Sequence, residues 1–126
     1  MNSESFDGVY CCYALEHISW RKVKGFVGEV HRILRPGGLA IFITANLLEQ
    51  ARILVEKETW AEGDICMIFG DQDYPENSHY NGFSPKYAKD FFSEQGFYST
   101  RVIAHPATIT DMIIEARKSK AKVRVG

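Results

Sequence analysis

The sequence predicts an α/β domain with a partly parallel sheet that ends in an antiparallel strand pair and is flanked by helices. Three observations carry this expectation. Two nearly unbroken apolar runs, residues 8–15 ("GVYCCYAL") and Leu39–Ala45 ("LAIFITA"), read as strands covered on both faces, as in parallel sheets. Between them, "WRKVKGFVGEVHRIL" puts Val23, Phe26, Val27, Val30, Ile33 and Leu34 on one helical stripe. Late in the chain, "FYSTRVIAH" and "TDMIIEARK" are separated only by "PAT", a link short enough for antiparallel neighbours.

The elements follow in order. Ser19 is a plausible N-cap for the first helix, and Gly25 and Gly28 inside it each cost about 1 kcal/mol against alanine, which calls for a packing reason. Pro36 stops that helix, and Gly37 and Gly38 turn the chain into the second strand. Strand, helix and strand make one βαβ unit, right-handed in nearly all sheets. Residues 46–83 then depart from this regularity. "LLEQARILVEKETW" has helical spacing, whereas "AEGDICMIFGDQDYPENSHYNG" reads as an irregular, lid-like excursion. Ser84 and Pro85 mark a new helix start, and "PKYAKDFFSEQG" buries Ala88, Phe91 and Phe92 and ends at Gly96. No second domain is indicated, so residues 1–126 form one unit.

Composition narrows the function classes. Hydrophobic residues are 45%, charged residues 25% and the formal net charge is −1, so no global field draws the chain to nucleic acid or an anionic membrane. The basic end, "RKSKAKVRVG", has no interleaved aromatics and reads as a solvated tail. No run reaches transmembrane length and no leader is apparent, which points to the cytoplasm. Cys11, Cys12 and Cys66 have no zinc-like spacing and read as reduced, buried small hydrophobes. Trp20 and Trp60 read as packing residues, His31 as a helix-surface residue and His105 as a loop residue.

The site candidates begin where the first strand ends, at "YALEHI". Ligands of open α/β sheets bind beyond the carboxyl ends of the strands, and there Glu16 and His17 set a carboxylate beside an imidazole. Asn46, at the tip of the second strand, either meets a ligand or serves as a turn residue or helix cap.

"SFDGVYCCYALEHI", a helix ending "EVHRILRPGG", and then "LAIFITAN" resemble the carboxyl-terminal half of a class I S-adenosylmethionine-dependent methyltransferase, a Rossmann-like fold. "HYNGFSPKYAKDFFSEQGF" resembles a subgroup associated with polysaccharide and sugar biosynthesis. The resemblance spans residues 5–115 and implies the strand order first, second, fourth, third. It implies methyl transfer from S-adenosylmethionine to a small or saccharide-related acceptor. By matching position Tyr13 and Ala14 would line the cofactor side, and Glu16 and His17 would border the acceptor, with His17 suited to the role of base and Glu16 otherwise a cap or pairing residue near the helix start. His79 matches the subgroup's histidine before "GF" and is the lid candidate that would meet the acceptor, or else an exposed loop histidine without a role. Some relatives hold a metal through a further Glu three residues before the Glu-His pair; here Tyr13 stands in that place, so no metal is expected. The Gly-rich loop of the family's first strands has no counterpart, since Gly37 and Gly38 precede a strand rather than follow one. The chain alone is therefore expected to bind the cofactor weakly or not at all, as a fragment or a shortened relative. The rival expectation is a non-catalytic interaction module on the same half-fold. Either way the first strand would be an open edge, which favours a homo-oligomer.

Overall fold

The computed structural model describes residues 2–59 and 61–120. Trp60 and residues 121–126 of the basic tail lie outside the described residues. Strands β1 (Phe6–Cys12), β2 (Leu34–Ala45), β3 (Ser99–Ala104) and β4 (Asp111–Arg117) form one sheet in the order β1-β2-β4-β3. β1 runs parallel to β2, and β4 is antiparallel to both β2 and β3. This is the order and the parallel-then-antiparallel sense that the sequence predicts.

Alternation along β2 and β4 explains where the core lies. Ala40 and Phe42 of β2 and Met112, Ile114 and Ala116 of β4 are fully buried and point to one face. Helix α1 (Val23–Ile33) covers that face with Val23, Val27 and Val30, and helix α4 (Pro85–Glu94) covers it with Ala88, Phe91 and Phe92. Phe42 and Phe92 meet in this core with ring centroids 5.0 Å apart. The opposite face carries Leu39, Ile41, Ile43 and Ile113, which stay only half-buried. The expectation of strands shielded on both faces is thus corrected, most clearly at β1. That strand is largely exposed, with Tyr10 at 66%. Continuous apolar character reports that a strand can be shielded, not that this chain supplies the shield.

Boundaries shift for local reasons. The first strand ends at Cys12 rather than at residue 15, because Tyr13 adopts a left-handed φ of 55° and turns the chain. α1 begins at Val23, not directly after Ser19. The Ser19 hydroxyl accepts from Arg21 N at 3.2 Å and organises the preceding turn, and Lys22 holds the cap position without a side-chain bond. α1 ends at Ile33, so β2 already includes "RPGG". Lys118 Nζ closes that end, donating to the carbonyls of His31 (2.9 Å) and Leu34 (2.8 Å). A Cβ at Gly38 would lie 2.8 Å from Arg35 O, which requires glycine there. The cysteines are less buried than expected: Cys12 is exposed, and Cys11 and Cys66 are half-buried.

The excursion is more ordered than its composition suggests. It contains α2 (Leu47–Lys57), the expected helix, but also α3 (Glu62–Phe69), within a stretch that reads as irregular. Asp64 explains α3. Its carboxylate accepts from Ala61 N (3.1 Å) at the helix start and from Lys57 Nζ (2.9 Å) on α2. The Lys57 ammonium is the main reason that the Asp64 carboxyl lies below its usual range. α4 starts as predicted, with Ser84 Oγ accepting from Tyr87 N and Pro85 at its first position.

Candidate functional site

Beyond Cys12 the chain leaves the sheet in a short 3₁₀ turn, Leu15–His17. Leu15 is fully buried and anchors this turn in the core. Tyr13 N donates to Ile43 O (2.7 Å), and the Tyr13 hydroxyl reaches across the sheet end to Asp111 Oδ2 (2.8 Å) at the start of β4. Burial of that end of the side chain, then its bond to Asp111, push the Tyr13 phenol up to about 12, although the residue as a whole is 44% exposed. Ala14 takes the cap position of the turn and is half-buried.

The turn sends its two functional candidates in opposite directions. Glu16 points inward and is 3% exposed. Its Oε2 accepts from Thr44 Oγ1 (2.9 Å) and Ala45 N (3.1 Å), which buckles the tip of β1 to the tip of β2. Its Oε1 is enclosed without a hydrogen-bond partner. His17 points toward the excursion, where its Nδ1 lies 3.0 Å from Ser78 O. His79 comes up against it, with ring centroids 5.0 Å apart in an edge-on arrangement, and its own Nδ1 lies 3.2 Å from Ile68 O. A carbonyl can only accept, so each Nδ1 carries a hydrogen, and Nε2 is the ring atom at which either imidazole in its uncharged form can accept.

The structure therefore brings His17 and His79 together and separates Glu16 from them. Asn46 sits 7% exposed at the β2 tip as the N-cap of α2, its side chain accepting from Glu49 N (3.4 Å), which is the cap role left open by the sequence. Asn81 is a residue the sequence did not single out. Its Nδ2 donates to Leu15 O (2.6 Å) and also to Ile18 O, and Tyr80 N donates to Glu16 O (2.8 Å). These bonds clamp the excursion onto the 3₁₀ turn and hold His79 against His17. The only signal for Asn81 was its place in "HYNGF", between a histidine and a helix cap. Among the described residues no group of three or more His, Cys, Asp or Glu side chains is arranged to hold a metal ion, and no helix is long and apolar enough to cross a membrane.

Residues 1–42, which include "FD", "LEH" and "RPGG", match the family model described as a methyltransferase domain. Solved structures extend the likeness over nearly the whole chain. An S-adenosylmethionine-dependent methyltransferase from Archaeoglobus fulgidus matches with a TM-score of 0.64 and 11% identity, over 94% of this chain and 62% of its own. One from Methanosarcina mazei matches with a TM-score of 0.61 and 18% identity, over 94% and 62%. The 1,6-didemethyltoxoflavin-N1-methyltransferase of Burkholderia thailandensis, solved with 1,6-didemethyltoxoflavin and S-adenosylhomocysteine bound, matches with a TM-score of 0.58 and 14% identity, over 94% and 46%. The chain thus spans less than two thirds of each of these structures. No curated protein sequence matches it. The fold is that of the class I S-adenosylmethionine-dependent methyltransferases, and the resemblance carried by "FD…LEH…RPGG" holds.

Proposed function

We infer that the chain forms the acceptor side of a methyltransferase that moves a methyl group from S-adenosylmethionine to a small acceptor. The observation that carries this is the His17–His79 pair beyond the tip of β1, the rings 5.0 Å apart and each Nδ1 within hydrogen-bond distance of a backbone carbonyl.

The described residues fit one wall of a cofactor pocket. Tyr13 and Ala14 form an exposed-to-half-buried turn at the sheet end, in the place where such folds bind ligands. They do not fit the rest, because no glycine-rich turn among the described residues follows a strand and opens a helix. S-adenosylmethionine, bound beside that wall, would supply the electrophilic methyl. The chain's own residues do the remaining work. His17 Nε2 takes the proton from the acceptor's O–H or N–H, and Ser78 O holds the ring in the tautomer that can do so. His79 shapes the same mouth from the excursion side. Glu16 acts at a distance from the chemistry, by fixing the turn that carries His17.

The test has two parts. Calorimetric titration of the 126-residue chain with S-adenosylmethionine should show millimolar binding or none, since a few missing hydrogen bonds remove several factors of ten. In a polypeptide that adds the preceding strands of the fold, His17→Ala should cut turnover by about 10²–10⁴, the usual worth of a general base, with little change in cofactor affinity. Equal turnover in the variant would remove His17 from the chemistry. A second proposal, an interaction module that pairs through its first strand, is favoured by one observation: β1 is an exposed edge of the sheet.

A further inference from the structure

We propose that the methyl acceptor is a flat aromatic molecule bearing an O–H or N–H, and that its ring system lies in an apolar groove beyond the tip of β2. This rests on the methyl-transfer reading of the same strand tips and adds the chemical class of the acceptor.

The groove has a volume of about 360 Å³, within the usual range for small-molecule sites. Leu47, Leu48 and Ala51 of α2 form one wall, and Gly82, Phe83 and Tyr87 form the other. Leu47 follows the β2 tip by two residues, so the groove opens at the ligand-binding end of the sheet. A single stretch ties it to the histidine pair. Residues 79–83 leave His79, are clamped to the 3₁₀ turn through Tyr80 N and Asn81 Nδ2, and reach Phe83, whose carbonyl accepts from Leu47 N at 2.9 Å. Four residues span at most roughly 13 Å even when fully extended, so the groove lies within that reach of His79, and one acceptor would keep its head at His17 and His79 and its body in the groove.

The lining selects the body. Ser84 Oγ accepts from Tyr87 N as the cap of α4, so its hydroxyl keeps mainly its hydrogen to offer. Apart from the Ser84 and Tyr87 hydroxyls, the lining side chains are carbon. Phe83, only 1% exposed, stacks behind Tyr87 with centroids 5.2 Å apart at 24°, so the flat aromatic surface open to the groove is the Tyr87 ring. Leu48 (45%) and Tyr87 (49%) are large apolar side chains left open to solvent on facing walls. A sugar ring would find few partners here for its hydroxyls, whereas a flat ring buries its faces and leaves nothing unpaired. Gly82 sets the groove floor by letting Leu47 pack onto its backbone: a Cβ there would lie 2.4 Å from Leu47 Cδ2. The head is set by the histidines, whose Nε2 atoms accept in the uncharged rings and therefore ask for a donor.

The test uses the 126-residue chain and two probes, 2-naphthol and methyl glucoside, without cofactor. Methyl resonances of Leu48 and Ala51 report the groove, and ring-proton resonances of His17 and His79 report the head. Saturable 2-naphthol shifts at both places are expected, with methyl glucoside at least tenfold weaker. Ala51→Glu, at an exposed position of α2, should weaken 2-naphthol at least tenfold with an unchanged melting temperature; Leu48→Ser is the companion variant. No saturable shift at the groove, equal binding of methyl glucoside, or a groove that frees only on dilution, as when a second copy fills it, would each overturn the proposal. Because no methyl donor is present, failure here is separate from failure of methyl transfer, which the His17→Ala turnover measurement decides.

Discussion

Glu16 separates a structural carboxylate from a catalytic one. In Glu16→Ala the Thr44 hydroxyl, 1% exposed, and the Ala45 amide both lose their acceptor. Each buried donor left unpaired costs about 1–3 kcal/mol, and the small cavity adds about 1–2 kcal/mol. Against this, the substitution removes Oε1, itself buried and unpartnered, which returns about 1–3 kcal/mol. The net expectation is a loss of about 2–5 kcal/mol. Glu16→Gln keeps a carbonyl oxygen for both donors and should change stability by less than about 1 kcal/mol. With a urea m-value of about 2 kcal/mol/M for a chain of this size, the alanine variant should unfold about 1–2.5 M earlier at unchanged m. In an active, completed enzyme Glu16→Gln should retain turnover. If alanine costs under about 0.5 kcal/mol while glutamine abolishes turnover, the carboxylate is chemical and the buckle argument fails.

Three further expectations follow from single contacts. The Tyr13 phenol, raised to about 12, favours the protonated form in the folded chain, so its contribution to stability is complete below about pH 10 and is lost as the pH rises toward 12; spectrophotometric titration should show one late-ionising tyrosine that disappears in Tyr13→Phe. Gly82→Ala pushes a Cβ against Leu47 and should lower stability by about 1–3 kcal/mol in thermal unfolding; a neutral result would mean that Leu47 moves freely and the groove floor is not set by packing. Limited proteolysis should cut first within residues 71–76, which are exposed and lie between the end of α3 and the His79 clamp; a first cut inside α1 or β2 would contradict the layout.

What the sequence made legible was what period encodes. The α1 stripe at Val23, Val27, Val30 and Ile33 and the α4 cap at Ser84 reappear, because each is set by residues a few positions apart; Phe26, expected on the stripe, is 37% exposed, and Leu34 belongs to β2. α3 was hidden because its cap position holds Ala61, which has no capping side chain; its start is held instead by Asp64, which accepts from Ala61 N and from Lys57 on the preceding helix. At the site, "LEH" marked the place but not the roles. In a 3₁₀ turn adjacent side chains diverge, and only the fold decides that Glu16 goes inward and His17 outward. His79 reaches His17 by closing a loop of about 60 residues, and the clamp that closes it, Asn81, shows no chemistry in sequence.

β1 poses the last test. Its sequence has the apolar density of a shielded strand, yet Phe6 is 41% and Tyr10 66% exposed, and its outer edge faces no other strand among the described residues. Two demands are left open together, backbone groups along the edge and side chains above it. Water satisfies the first and penalises the second, so the strand gains from any partner that meets both. Antiparallel pairing of two β1 edges would do so in a symmetric dimer, and added strands of the same fold would do so in a complete domain. Sedimentation of the 126-residue chain should show a concentration-dependent dimer or larger species, with β1 amides protected at high concentration and exposed at low. Tyr10→Lys, which places a charge on the open side of the edge strand, should shift the chain toward monomer by at least tenfold in dissociation constant. A clean monomer at every concentration, with fast amide exchange along β1, would show that the exposed strand is tolerated and that self-pairing plays no part.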